Sequence, residues 1–383
     1  MYMGIDAVFN REYWGRVPFH FWSAVFFVLG SLVGSFLNVV IHRLPRGESV
    51  VYPPSHCPHC QYSIPWYLNI PLVTWVWLRG KCANCGAPIS GRYFLIELLT
   101  ALMFLATWLA FGHLSAWLVL ILCLLIAGLI AASFIDLEHF IIPDSINYGG
   151  MVAGLICSLL VPRLHHTDSP IESLGQGILG MAAGAGIIYF VVRVGKIFLG
   201  RRVFKLAEGE KVVFTESGIV LPSEEIHYGE IFWRKSDTVV FQAEKLELCD
   251  RCYRDVRVKL TSTRLVIGEE ELNPEEVPYM EAATATLVVP REVMGQGDVK
   301  FMAAIGAFLG WQAVIFSLGM SSIIGAPVGL ALVALRRHDK SHPVQYGPFI
   351  AVAAVIWIFA GIWIWQHLTG STVKLGTGNV TPW

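Results

Sequence analysis

Apolar residues run along this chain in eight long blocks, roughly 19–42, 92–112, 115–135, 144–161, 174–199, 301–316, 318–335 and 347–367. Each reaches or approaches the ~20 residues that an α-helix needs to cross a bilayer. The sixth and seventh blocks are separated only by a short turn near Gly319, the weakest break of the set. A polar loop, 43–91, follows the first block, and a charged stretch, about 200–294, follows the fifth. Inside that stretch "KVVFTESGIVL", "DTVVFQAEKLEL", "DVRVKLTSTRLVIG" and "ATATLVVP" are β-branched and partly alternating, the pattern of strands. The chain is therefore expected to be a polytopic α-helical membrane protein of about eight transmembrane helices, with a small β-rich soluble insert. It divides into the N-terminus and first helix (1–42), a loop (43–91), helices two to five (92–199), the insert (200–294), helices six to eight (295–367) and a tail (368–383). The opening "MYMGIDAVFNREYWGRV" lacks the basic start and small-residue cleavage site of a signal peptide, so the first block reads as a retained helix.

Composition agrees with the pattern. The 383 residues are 55% hydrophobic and only 15% charged, with a mean hydropathy of +0.57, whereas a soluble domain carries about a quarter charged residues. A formal net charge of −1 and the absence of basic runs exclude a nucleic-acid-binding arm. Lys and Arg near the helix ends set the expected orientation. Arg43, Arg46, Arg79, Lys81 and Arg92, then Arg193, Lys196, Arg201, Arg202 and Lys205, then Arg336, Arg337 and Lys340 all fall on one side of an eight-helix topology. That side is expected to be cytoplasmic. Only Arg11, Arg16, Arg163 and Lys374 lie on the other, with both termini.

Six of the eight cysteines form three C-x-x-C pairs, while Cys123 and Cys157 lie in apolar runs as small core residues. In the first loop "CPHC" (Cys57, Cys60) and "CANC" (Cys82, Cys85) are 21 residues apart. Two such knuckles supply four thiolates to one tetrahedral ion, which closes its coordination and makes the metal, expected to be zinc, structural. Two redox dithiols are the alternative. His56 and His59 flank the first knuckle as spare ligands. The lone pair Cys249 and Cys252 reads as two thiols, with a second metal site as the alternative.

Carboxylates mark the membrane edge, where ionisable residues are costly and tend to be functional. "FIDLEHFIIPD" brings Asp136, Glu138, His139 and Asp144; "GQGDVK" brings Gly295, Gly297, Asp298 and Lys300. Asp144 follows Pro143 and could cap the fourth helix, and an N-cap reading also fits Asp298. Glu138 and His139 read as a solvated turn. Asp136 ends the third helix, where its charge opposes the helix dipole and brings no capping benefit, so a functional reading is favoured. Asp136 and Asp298 fall at the same level, and two close carboxylates share one proton because both cannot ionise together. One would activate water while the other hydrogen-bonds a scissile carbonyl. The glycines would admit a substrate backbone.

These motifs resemble those of type IV prepilin peptidases, the bifunctional leader peptidase/N-methyltransferases. "GSFLNVVIHRLP" is similar to the family's first helix and its exit, "HCPHCQYSIPWYLNIPLVTWVWLRGKCANCGAPISGRYFLIELLTA" to its cysteine loop, and "YGPFIAVAA" to the motif opening its last helix. "IDLEHFIIPD" and "GQGDVK" resemble the two aspartate motifs, the second of Gly-x-Gly-Asp type. The resemblance implies Asp136 and Asp298 as the catalytic pair, Asp144 in support, and Lys300 as a residue that orients or tunes its aspartate, with a snorkelling cation as the simpler reading. It implies cleavage of prepilins or pseudopilins after a leader glycine, then methylation of the new N-terminus with S-adenosylmethionine. It also implies a bacterial inner-membrane enzyme whose active site and insert face the cytoplasm, among membrane lipid and pilus or type II secretion assembly proteins. The insert departs from the family's short connection at this point and suggests substrate selection, regulation or docking. No soluble glycine fingerprint for the methyl donor is visible, so a peptidase without methyl transfer stays open. An ion-coupled transporter and a non-catalytic assembly factor stay open too; acids at one face rather than the midplane count against the transporter.

Overall fold

The computed structural model describes residues 19–207, 210–222, 224–232, 237–290, 295–334 and 345–370. The terminal and loop cations Arg11, Arg16, Arg336, Arg337, Lys340 and Lys374, and the tail beyond residue 370, lie outside the described residues. In chain order the helices are α1 (Phe19–Arg43), α2 (Val73–Trp77), α3 (Gly91–Phe111), α4 (Ala116–His139), α5 (Asp144–Leu160), α6 (Pro170–Leu199), α7 (Tyr228–Ile231), α8 (Gln296–Ala334), α9 (Gly347–Ile356) and α10 (Ile362–Thr369). A π-helical turn, Trp357–Gly361, joins α9 to α10 into one apolar rod. The chain forms two compact units, one from the described residues up to Ile188 and from Gln296 onward, the other Tyr189–Gly295.

Each of the eight expected apolar blocks is helical among the described residues, while the count of eight spans is not confirmed. Among the described residues six helices are long and apolar enough to cross a membrane. The expected fourth span, α5, has 17 residues, about 26 Å at 1.5 Å per residue, at the lower end of the range for spanning helices. The expected sixth and seventh are two helical segments that meet within α8, and the break between them falls at Gly310 (φ 81°, ψ 175°) rather than near Gly319. Gly319 stays helical, so the sequence break of weak polarity is not where the backbone turns.

Helix α4 is apolar all round and buried along most of its length, the pattern of a central helix. Helix α3 packs along α1, α5 along α8, and α9 against both α4 and α8. Lipid supplies no hydrophobic drive between helices, so close approach rests on small residues. At the tightest crossing, a Cβ on Gly180 of α6 would lie 2.1 Å from the Gly306 carbonyl oxygen of α8. Only glycine allows this backbone-to-backbone contact.

The second unit is a ten-stranded antiparallel sheet, in the order β4 (Glu225–His227), β3 (Gly218–Val220), β2 (Lys211–Phe214), β9 (Met280–Ala283), β5 (Val239–Leu248), β6 (Cys252–Leu260), β7 (Leu265–Ile267), β8 (Glu270–Leu272), with β10 (Thr286–Pro290) pairing β5 and β1 (Arg201–Lys205) pairing β10. Its longest ladder joins β5 (Val239–Leu248) to β6 (Cys252–Leu260). Along β5 the alternation puts Val239, Phe241 and Ala243 into a core with Val212, Ile219, Leu246, Leu265 and Leu287. The four quoted segments become β2 (Lys211–Phe214) with β3 (Gly218–Val220), then β5, then β6 with β7 (Leu265–Ile267), and β10 (Thr286–Pro290). The pattern does not announce β9 (Met280–Ala283), a central strand of Met, Glu and Ala that lacks β-branched residues.

A methyl group at Gly180 is expected to lower the stability of the purified protein by about 1–3 kcal/mol through overpacking. At the helical, uncrowded Gly319 alanine is expected to raise stability by up to about 1 kcal/mol. Thermal unfolding of Gly180→Ala and Gly319→Ala in detergent, followed by tryptophan fluorescence, checks both signs.

Candidate active site

Asp136 lies in the last turn of α4, 7% exposed. A carboxylate so placed needs a hydrogen-bond donor, and its own helix end offers only carbonyls. The donor comes from elsewhere: Gly347 N–H, at the first residue of α9, donates to Asp136 Oδ2 at 3.1 Å. The charge that opposes the α4 dipole thus meets the positive end of α9, where the first four N–H groups lack intrahelical partners. Gly347 is required here, because a Cβ would fall 2.6 Å from Asp136 Oδ2. The stabilisation that α4 itself cannot give Asp136 thus comes from a helix distant in sequence. Gly347 itself was visible only as part of "YGPF", a Gly-Pro pair at a helix start.

Asp298 occupies the first turn of α8 and is equally buried, at 9%. Two residues on, Lys300 donates to Asp144 Oδ1 at 2.6 Å and lies 4.9 Å from the centre of the Tyr148 ring. Lys300 therefore ties the second aspartate motif to the first through Asp144. Asp144 is the first residue of α5, one position after the capping residue Pro143, and its carboxylate goes to Lys300 rather than to an N-cap bond. Ile142 adds a second tie. A Cβ on Gly297 would contact Ile142 Cβ at 3.4 Å, and one on Gly347 would contact Ile142 Cδ1 at 3.2 Å. The flank of Gly297 faces this side chain, whereas Gly295 is exposed. Around Ile142 the end of α4 and the beginnings of α5, α8 and α9 converge at one end of the helix bundle.

Arg92, in the first turn of α3, pairs with Glu138 in the last turn of α4, so the cysteine loop enters at this same end. Glu138 is thus paired rather than merely solvated, and His139 Nε2 is buried with no hydrogen-bond partner among the described residues. A cavity of about 990 Å³ opens between Phe111, His165, Gln176, Trp311 and Trp365. It contains none of the expected site residues.

In the loop, Cys57, Cys60, Cys82 and Cys85 bring all four Sγ atoms within 4.8 Å of one another. Cys57 and Cys85 are 3.9 Å apart at sulfur, Cys60 and Cys82 4.0 Å. A tetrahedron with 2.3 Å metal–sulfur bonds has edges of about 3.8 Å, so the donor set could hold a metal ion. The two knuckles are built alike: Gln61 N–H donates to the Cys57 carbonyl, Gly86 N–H to the Cys82 carbonyl, and both turn residues have positive φ. The Asn84 amide beside Cys60 pulls its thiol down to about 6, toward the thiolate a metal needs. Cys249 and Cys252 are exposed at the β5–β6 turn and belong to no metal-ligating group among the described residues.

Comparison with known proteins covers the same residues. The model of the Bacterial Peptidase A24 N-terminal domain matches 28–111, which includes the four cysteines. That of the Type IV leader peptidase family matches 123–207 and 277–330, which includes Asp136, Asp144 and Asp298 and omits most of the insert. A prepilin leader peptidase/N-methyltransferase of Aeromonas hydrophila is 30% identical over 368 residues, 89% of this chain and 92% of the relative. One of Myxococcus xanthus (strain DK1622) is 50% identical over 202 residues, 52% of this chain and 56% of the relative. A type 4 prepilin-like proteins leader peptide-processing enzyme of Escherichia coli is 38% identical over 207 residues, 49% of this chain and 73% of the relative. No solved structure gives a significant match. By the near full-length relationship to the Aeromonas protein, and by the aspartate-bearing segments that the matches cover, the chain belongs to the type IV leader peptidase family.

Proposed function

We propose that this chain is a prepilin leader peptidase in which Asp136 and Asp298 form an aspartyl dyad. The observation that carries the reading is the convergence of helix ends around Ile142, which draws the two buried aspartates' motifs together. One carboxylate takes a proton from water as the water attacks the scissile carbonyl. The other, protonated, donates to the carbonyl oxygen and later helps protonate the leaving amine. Gly347 N–H holds Asp136 by Oδ2, which leaves Oδ1 for the proton. Lys300 and Asp144 act outside the chemistry by fixing α5 against α8.

The substrate class is a prepilin or pseudopilin, cut after the glycine that ends its basic leader. In the eight-span topology the clusters of Lys and Arg support a cytoplasmic position, at a bacterial inner membrane, for the aspartate-bearing end. The four-cysteine set fits structural zinc, held by Cys57, Cys60, Cys82 and Cys85 with no open position for chemistry. Methylation of the new N-terminus by S-adenosylmethionine follows from the names of the relatives. No described turn of the membrane unit has the glycine-rich strand-to-helix form that nucleotide-type cofactors use, so the transfer step is assigned to no residue.

Asp136→Asn and Asp298→Asn are each expected to slow processing of a co-expressed prepilin at least about 100-fold, the lower range for losing a general acid or base. Processing retained by both variants would remove the peptidase reading, and the mass of the mature pilin N-terminus reports methylation in the same sample. Gly347→Ala is expected to cost about 10-fold, because its methyl group displaces the Asp136 carboxylate by steric overlap worth about 1–3 kcal/mol. Lys300→Met should cost less, since the half-exposed pair with Asp144 contributes about 0–1 kcal/mol. Elemental analysis is expected to find one zinc per chain, lost in Cys60→Ala with Cys82→Ala.

A further inference from the structure

Between the two cysteine knuckles lies a segment that neither the metal nor the aspartates explain. In 66–77, "WYLNIPLVTWVW", the large apolar residues Trp66, Tyr67, Ile70, Val73, Val76 and Trp77 are all exposed, the two tryptophans at 82% and 81%. A soluble loop does not present a contiguous apolar surface of this kind. Its other side is firmly held. Leu72 N–H donates to Glu97 Oε2 at 2.7 Å, the Trp75 ring packs on Phe94 at 5.0 Å between centroids, and Trp75 Nε1 donates to the Ile89 carbonyl at 3.4 Å. Leu72 also takes φ 63°, ψ −51°, closed by Val73 N–H to the Pro71 carbonyl at 2.6 Å, a strained γ-turn for a residue with a side chain.

Those attachments fix a depth. Helix α3 has 21 residues, about 31 Å at 1.5 Å per residue, which matches the ~30 Å hydrocarbon core with no turn to spare. Its first turns therefore cannot stand clear of the bilayer. Glu97 is the seventh residue of α3, about 9 Å along the axis from Gly91, and its side chain leans back toward the N-terminus. The segment anchored on Glu97 and Phe94 thus lies beside the first two turns of a spanning helix, not above its tip. Non-helical backbone at that depth must find its partners within the protein, and the buried Glu97 supplies one to Leu72.

Charge identifies the lipid. From Val51 to Ile96 the sequence has no Asp or Glu, while Arg79, Lys81 and Arg92 follow the segment. Arg79 and Lys81 are exposed. An apolar tip rich in Trp and Tyr with a purely cationic flank matches the interface of an anionic leaflet, where each cation near the surface contributes about 1 kcal/mol.

We infer that residues 66–77 form an interfacial membrane anchor, which inserts Trp66, Val73, Val76 and Trp77 below the headgroups of the adjoining leaflet while Arg79 and Lys81 bind anionic lipid phosphates. The metal-binding loop is then moored to the bilayer between α1 and α3. This inference depends on α3 spanning the membrane, not on the peptidase reading; a chain unable to cleave prepilin would behave identically in the test below.

The full-length protein and its Trp66→Phe/Trp77→Phe variant, reconstituted in nanodiscs of equal parts phosphatidylglycerol and phosphatidylethanolamine, give a difference in tryptophan emission that reports these two rings alone. That difference is expected to be quenched at least about two-fold more by bromines high on the acyl chains than by deep ones, as burial of roughly 5–10 Å below the headgroups requires. It should resist aqueous acrylamide, and the preference for phosphatidylglycerol over phosphatidylcholine nanodiscs should be lost in Arg79→Gln/Lys81→Gln. Both rings are exposed and change conservatively, so the fold is retained. Quenching of the difference by acrylamide but not by bromolipid would overturn the inference. So would shielding that arises only when a prepilin is added, which would make the surface a protein-docking site.

Discussion

A buried carboxylate at the end of a helix is placed against that helix's dipole, and the protein can keep it only by supplying a stronger field from another element. Here the N-terminus of α9 does so, through Gly347 N–H on Asp136 Oδ2. The requirement propagates. Helix α9 must begin where α4 stops, its first residue must lack a Cβ, and the neighbouring Ile142 must fill the space left beside both Gly347 and Gly297. The start of α8, which carries Asp298, is thereby set beside the end of α4. One hydrogen bond and one side chain so constrain four helix ends, and the ion pair of Lys300 with Asp144 closes the arrangement from the more exposed side.

Much of this was legible in the chain because the bilayer makes polarity conspicuous. An aspartate at the edge of an apolar run stands out, as do two C-x-x-C pairs in a polar loop, and the four sulfurs are indeed gathered within 4.8 Å. What could not be read is whatever depends on a partner distant in sequence. Gly347 and Asp136 are 211 positions apart, and nothing local to either tells that one solves the other's electrostatic problem. Lys300 reads as the companion of Asp298 because it is two residues away, yet a helix turns adjacent side chains to different neighbours, and Asp144 receives it. The break in α8 was expected at Gly319, where the apolar run weakens, but backbone dihedrals rather than hydropathy decide such breaks, and they single out Gly310.

The insert shows the same limit in a soluble setting. Strands with β-branched alternation were visible, whereas β9, buried between β2 and β5, is made of residues with little strand preference. Its place is set by neighbours on both sides, which is how tertiary context overrides propensity. Helix α5 lies at the lower end of the spanning length with 17 residues, and it packs along α8 as part of the bundle.

One pairing in the insert bears on how such a chain could arise. The strand that enters the domain, β1 (Arg201–Lys205), lies antiparallel to the strand that leaves it, β10, with Arg201 opposite Pro290. Opposed residues in such a ladder are about 5 Å apart, so nearly ninety residues of intervening chain begin and end almost at one point. A module closed in this way can be gained or lost in a single genetic event, because the break it makes in the host is no wider than a hairpin would leave.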